Sequence, residues 1–137
     1  MKRKNGFTLI EILVVIGIIG LLAVFMVPNL LGAQDRAKEA AVKSVMHSIQ
    51  LAIEAYNMEN YTYPIAKTID LKNLVVNYLS AGGYMIEVPK NPFTGKPYIE
   101  SDVAGRVIYD YNTVSGKYTL TGYKRNGETQ ILTLSNM

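Results

Sequence analysis

Glu11 stands in residues 7–34, a stretch of mostly Ile, Leu, Val and Ala in which it is the only charge. A carboxylate in apolar surroundings is costly and is kept only where it finds a partner, so it marks function by default. The nearest cation on its own chain, Lys4, lies about two helical turns away. Other chemistry is sparse. No Cys and one His exclude a thiolate metal site, a Cys nucleophile and a His-based metal cage within one chain. His47, beside Ser44 and Ser48, reads as a solvated residue rather than a ligand or base. Thr94-Gly95-Lys96-Pro97 resembles only the tail of a phosphate loop, without the upstream Gly and the hydroxyl residue after Lys. Asn60-Tyr61-Thr62 has the form of a glycosylation sequon and is read as chance composition. No Ser-His-Asp order and no paired catalytic carboxylates are visible, so the sequence does not read as an enzyme.

Charge separates the N-terminus from the rest. The net charge of +3 equals the contribution of Lys2, Arg3 and Lys4; from residue 7 onward 11 basic and 11 acidic side chains cancel. The balance does not favour a nucleic-acid partner. From Ile12 to Gln34 there are 23 uncharged residues, enough to cross a hydrocarbon core of about 30 Å as a helix. The basic flank places that N-terminal end in the cytoplasm and the remainder outside. A cleaved secretory signal fits less well, because the apolar run exceeds the usual length and no small-x-small site follows it.

The elements that carry these residues follow from periodicity. Val42, Val45, Met46, Ile49, Ala52, Ile53 and Tyr56 recur at steps of three and four, one apolar stripe of an amphipathic helix. No breaker separates that segment from the apolar one after Gly32, so one helix from about 7 to 60, about 80 Å long, is expected. Pro28 removes one of its hydrogen bonds and should kink or loosen it. A short helix is expected at 69–79, with Asp70 as cap and Leu71, Leu74, Val75 and Tyr78 on one face. Strands are expected at 107–112, 117–122 and 129–134, joined by turns at Val114-Ser115-Gly116 and Arg125-Asn126-Gly127, with a short extra strand near 98–100. Most of the ten Tyr fall in strand patterns or on the stripe and read as packing residues. The fold class is α+β: a long N-terminal helix, membrane-embedded in its first half, packs its second half on a small antiparallel sheet.

The string KNG-FTLIEILVVIGIIGLLAVFMVPNLL resembles the class III signal of type IV pilins and of the pseudopilins of type II secretion systems. The shared features are a short basic leader, Gly6 before the cut, Phe7 as the new N-terminus, Glu11 as its fifth residue, and a long apolar helix containing Gly17, Gly20 and Pro28. The stretches 52–64 and 88–98 are similar to the helix end and following loop of major pseudopilins. The resemblance implies a pilin fold with three parts: a leader at 1–6, a transmembrane and polymerisation helix at 7–34, and a globular head at 35–137. It implies that a prepilin peptidase cuts between Gly6 and Phe7 and methylates the Phe7 amine. It assigns Thr8 and Glu11 to subunit assembly, with Glu11 neutralising a neighbouring subunit's amine. It assigns Gly17, Gly20 and Pro28 to local unwinding; the two glycines read equally as close-packing positions between helices. Many major pseudopilins bind calcium in an acidic loop near the C-terminus. Here that end has Glu128 as its only acid, so no metal site is expected, and no cofactor.

The implied function is that of a structural subunit of a helical filament, a type II secretion pseudopilus that drives protein export. Its partners would be further copies of itself, the prepilin peptidase, an inner-membrane assembly platform and motor, and minor pilins or pseudopilins. Two readings compete: a type IV pilin for adhesion, motility or DNA uptake, and a plain single-pass anchor carrying a binding domain. The short head, the 88–98 loop and the absence of paired Cys favour secretion. Processing gives the first test. Intact mass spectrometry of protein from native membranes should find a chain beginning at methylated Phe7, and a filament subunit still beginning at Met1 would refute the prepilin reading.

Overall fold

The structure is a computed structural model that describes residues 6–136, without the side chains of Pro28 and Asn29. The leader apart from Gly6, and the ring of Pro28, therefore lie outside the described residues. Helix α1 runs Leu9–Asn60, 52 residues, and is assigned without interruption through Gly17 and Gly20. The chain divides after Asp35 into two units. In the first, every described side chain from Phe7 to Gln34 is exposed. The segment is long and apolar enough to cross a membrane.

The second unit begins at Arg36 and has its own core. Val42, Met46, Ile49, Ala52 and Ile53 on α1 are buried, with Val45 and Tyr56 half-buried at the edges of the stripe. They join Leu71, Leu74, Val75 and Leu79, Tyr98, and Val107, Tyr109, Tyr118 and Leu120 in one cluster. Helix α1 ends where Tyr61 takes φ +56°, a left-handed conformation that usually falls to Gly. Its N–H still reaches the Asn57 carbonyl at 2.8 Å.

The sheet has four antiparallel strands in the order β1-β2-β3-β4: Ile69–Asp70, Val107–Asn112, Lys117–Tyr123 and Gln130–Ser135. Three of them match expectation to within a residue. The fourth does not arise at 98–100. That loop is folded on itself, with the Tyr98 hydroxyl donating to Gly105 O at 2.9 Å and Ile99 N to Asp102 at 3.0 Å. The added strand is Ile69–Asp70, paired with Tyr109 and Ile108. The short helix is correspondingly shorter than expected. Asp70 is extended and caps α2, Leu71–Leu74, by accepting from Asn73 N at 3.1 Å. A π-helical turn at Val75–Leu79 follows, closed by Ser80 N to Val75 O at 2.8 Å.

Most polar groups inside this unit are tied to partners, as burial requires; among the described residues the exception is Arg106 Nε, buried without a hydrogen-bond partner. Glu54 on α1 accepts the Tyr118 hydroxyl at 2.9 Å and the Tyr63 hydroxyl at 3.1 Å. The Tyr109 hydroxyl donates to Pro64 O at 2.8 Å. Asn91, fully buried, donates to Ala104 O at 2.8 Å and accepts from Phe93 N at 2.9 Å, which fixes the Pro-rich loop. At Gly122 the sheet comes close to the helix: a Cβ there would overlap Met46 Sδ.

Two expected outcomes follow from this core. A truncated chain beginning at Asp35 should be soluble, folded and mostly monomeric. Ile49→Asp or Ile53→Asp should unfold it, because each would bury an unpaired charge; wild-type-like thermal melting of both variants would refute the packing of α1 on the sheet. The second outcome is alkaline. Burial raises the hydroxyls of Tyr98, Tyr109 and Tyr118 well above the ordinary tyrosine value, and for Tyr118 the Glu54 carboxylate adds to the rise. The unfolded chain then loses these protons first. Their contribution is intact below about pH 10 and is lost as pH rises toward the folded values, by at most about 1.4 kcal/mol per group per pH unit. Phenolate absorbance of the three should appear together with loss of circular dichroism, and ionisation of all three in a still-folded chain would contradict their burial.

Candidate functional site

The first turn of α1 is built by two residues three apart. Thr8 precedes the helix, and its hydroxyl accepts from Glu11 N at 3.3 Å. The Glu11 carboxylate reaches back: Oε2 accepts the Thr8 N–H at 2.8 Å and the Thr8 hydroxyl at 2.6 Å. Thr8 O accepts from Ile12 N at 3.4 Å. This is a reciprocal capping box, in which a hydroxyl residue and an acid three positions on satisfy N–H groups that the helix leaves unpaired. The negative charge also sits at the positive end of the helix dipole. The sequence carries the signal as Thr-x-x-Glu, but Glu11 was read there only through the partner it needs.

The predicted site residues fall into three groups. Thr8 and Glu11 are in contact, and Gly6 and Phe7 adjoin them in the chain, with Phe7 exposed. Gly17 and Gly20 have nothing within 4 Å of the place where a Cβ would stand. Within one chain, therefore, no contact uses their small size. Pro28 lies outside the described side chains. Farther along, His47 is exposed, in keeping with a solvated residue.

In the head several basic residues are engaged with acids and rings. Lys72 pairs with Glu100 at 3.6 Å and Lys124 with Glu39 at 3.5 Å. The Arg106 guanidinium stacks 4.6 Å from the Tyr123 ring. Among the described residues no three His, Cys, Asp or Glu side chains gather as metal ligands. What distinguishes the chain is an extended apolar helix, exposed along its first unit, that opens with a carboxylate.

Known proteins share both parts of this arrangement. Residues 1–27 match the prokaryotic N-terminal methylation motif, and residues 29–128 match the type II secretion system protein G family. The type II secretion system core protein G of Vibrio cholerae is 36% identical over 101 residues, covering 68% of this chain and 68% of that protein. The protein of the same name in Escherichia coli K12 is 33% identical over 116 residues, covering 79% of each chain. That of Pseudomonas aeruginosa is 33% identical over 105 residues, covering 71% of this chain and 72% of its own. No solved structure gives a significant match. An N-terminal methylation motif, a membrane-length apolar helix and a family match over 100 residues agree: the chain belongs to the type II secretion system protein G family and is a membrane-anchored structural pseudopilin.

Proposed function

We propose that this chain is the repeating subunit of a secretion pseudopilus, and that its first turn is the assembly switch. In this reading the peptidase cuts between Gly6 and Phe7, leaving residues 7–34 as anchor and polymerising helix and 35–137 as head. Lys2, Arg3 and Lys4 hold the N-terminus in the cytoplasm, and the head stands outside the inner membrane. A platform and motor in that membrane extract the subunit, which adds to further copies of itself beneath minor pseudopilins.

The observation that carries the proposal is the Thr8–Glu11 capping box. Cleavage creates a cation at Phe7, four residues before Glu11. On its own chain that amine sits at the positive end of the helix dipole, where a cation is disfavoured. A neighbour's Glu11 offers it a carboxylate instead. Gly17 and Gly20, with open space about them, suit close approach of neighbouring helices, and Pro28 suits local loosening of α1 as they pack.

Capping and charge pairing are separable by substitution. Glu11→Gln keeps a side chain that suits the capping box but removes the charge. Glu11→Leu removes both and should still insert in the membrane. Thr8→Ala removes the cap at a cost of about 1 kcal/mol and leaves the carboxylate. If pairing drives assembly, Gln and Leu variants should both assemble more than about a hundredfold less well, since each leaves a buried amine unpaired, while Thr8→Ala should lose far less. Cross-linked filament yield and export of folded secreted proteins measure this. A Gln variant that assembles and secretes like wild type would leave Glu11 with a capping role alone.

A further inference from the structure

The family resemblance implies calcium in a loop near the C-terminus, and the residues here do not suit it. Calcium takes six to eight oxygen ligands, with carboxylates prominent among them. From 113 to 136 the chain supplies one carboxylate, Glu128, against Lys117, Lys124 and Arg125. Several turn oxygens already accept from N–H donors. Asn126 Oδ1 accepts from Glu128 N at 3.1 Å and Thr129 N at 3.0 Å, and Thr129 O accepts from Lys124 N at 2.8 Å. Lys124 O accepts from Gly105 N at 3.2 Å and Gly127 N at 3.0 Å. In the other turn, Asn112 Oδ1 accepts from Val114 N at 2.9 Å and Ser115 N at 3.1 Å.

The β3–β4 turn is fastened on three sides by other means. Lys124 Nζ lies 3.5 Å from Glu39 on α1. Arg125 and Lys38 share one ring: the guanidinium lies 5.5 Å and the ammonium 5.8 Å from the centroid of Phe93, in the Pro-rich loop. Gly127, at φ +70°, is pressed so closely on Val103 that a Cβ would stand 2.6 Å from Val103 Cγ1 and 3.0 Å from its carbonyl oxygen. One turn, one loop and one helix thus meet at two cations near a single aromatic ring, beside an ion pair.

We infer that a clamp of Lys38, Phe93, Arg125 and the Glu39–Lys124 pair closes this end of the head, so that the head holds its shape independently of calcium. Cations rather than carboxylates crowd this turn near the C-terminus, and they fasten it to α1 through Glu39 and to the Pro-rich loop through Phe93.

The full chain in detergent micelles tests this in two ways. Wild-type protein should melt within about 1 °C in calcium and in a calcium chelator, whereas a ligand bound well above its dissociation constant would raise the melting point by more than about 5 °C. Trypsin cleavage after Lys124 and Arg125 should likewise be as slow in chelator as in calcium. Glu39→Gln and Phe93→Leu keep every trypsin site and should be cut there several-fold faster, with or without calcium. A calcium-dependent rise in melting point, or calcium protection of the wild-type turn, would overturn the inference. So would cleavage of both variants at the wild-type rate. Neither arm involves filament formation, so the outcome does not depend on the assembly role proposed for Glu11.

Discussion

The head rests on one helical face. A four-stranded antiparallel sheet cannot bury itself, and here β2 and β3 direct Val107, Tyr109, Tyr118 and Leu120 inward against Val42, Met46, Ile49, Ala52 and Ile53 of α1. The fit is close enough that Gly122 has no room for a methyl group beside Met46. With that face in place, Glu54 on the same helix can take two tyrosine hydroxyls from different elements, and Tyr109 can reach back to Pro64. The polar bonds thus depend on the apolar packing. Each contributes about 1 kcal/mol net, or somewhat more to a charged partner, but would cost more if left unmade inside the core.

Two surroundings are written along α1. In 7–34 the apolar residues run all round the helix, and none of those whose side chains are described is buried in the chain. In 42–56 they keep to one stripe, and the stripe is buried. A helix apolar all round suits lipid or other helices, while a striped one suits a core beside water. The change of period between the segments therefore reports a change of surroundings rather than an end of helix, and α1 continues across it.

Periodicity explains what could be read without coordinates. The stripe, the two turns and the Asp70 cap each rest on residues adjacent in sequence, and each appears in the structure. The parts that were not legible rest on partners far away. Ile69–Asp70 is a strand only because Ile108 and Tyr109, about forty positions on, offer it an open edge; alone it reads as the start of a helix. Asn91 gave no sign of its burial, because its partners are backbone groups of Phe93 and Ala104. Gly122 looked like an ordinary strand end, and only the height of Met46 above it explains the missing side chain. The Thr8–Glu11 box is the exception: its pattern is local and visible, and was eclipsed by the question of what cation Glu11 meets.

The capping role of Glu11 and the pairing role proposed for it differ in what they require of the surroundings, and magnitude separates them. A cap is worth roughly 0.5–2 kcal/mol and the dipole about 0.3–1 kcal/mol more. Near the end of a membrane helix, where water and headgroups are close, that is sufficient to hold one carboxylate, so a lone subunit can rest in the bilayer with Glu11 bonded to Thr8. Within a bundle of packed helices the penalty for an unpaired carboxylate rises to several kcal/mol, more than the cap returns. Glu54 shows the alternative solution in the same helix: hydroxyl donors delivered by distant parts of its own chain. The described residues around Glu11 supply only its own first turn. On the proposed reading the deficit appears only when subunits pack, and a neighbour's amine removes it at that moment. The same carboxylate is then tolerated in the waiting subunit and demands a partner in the assembled one.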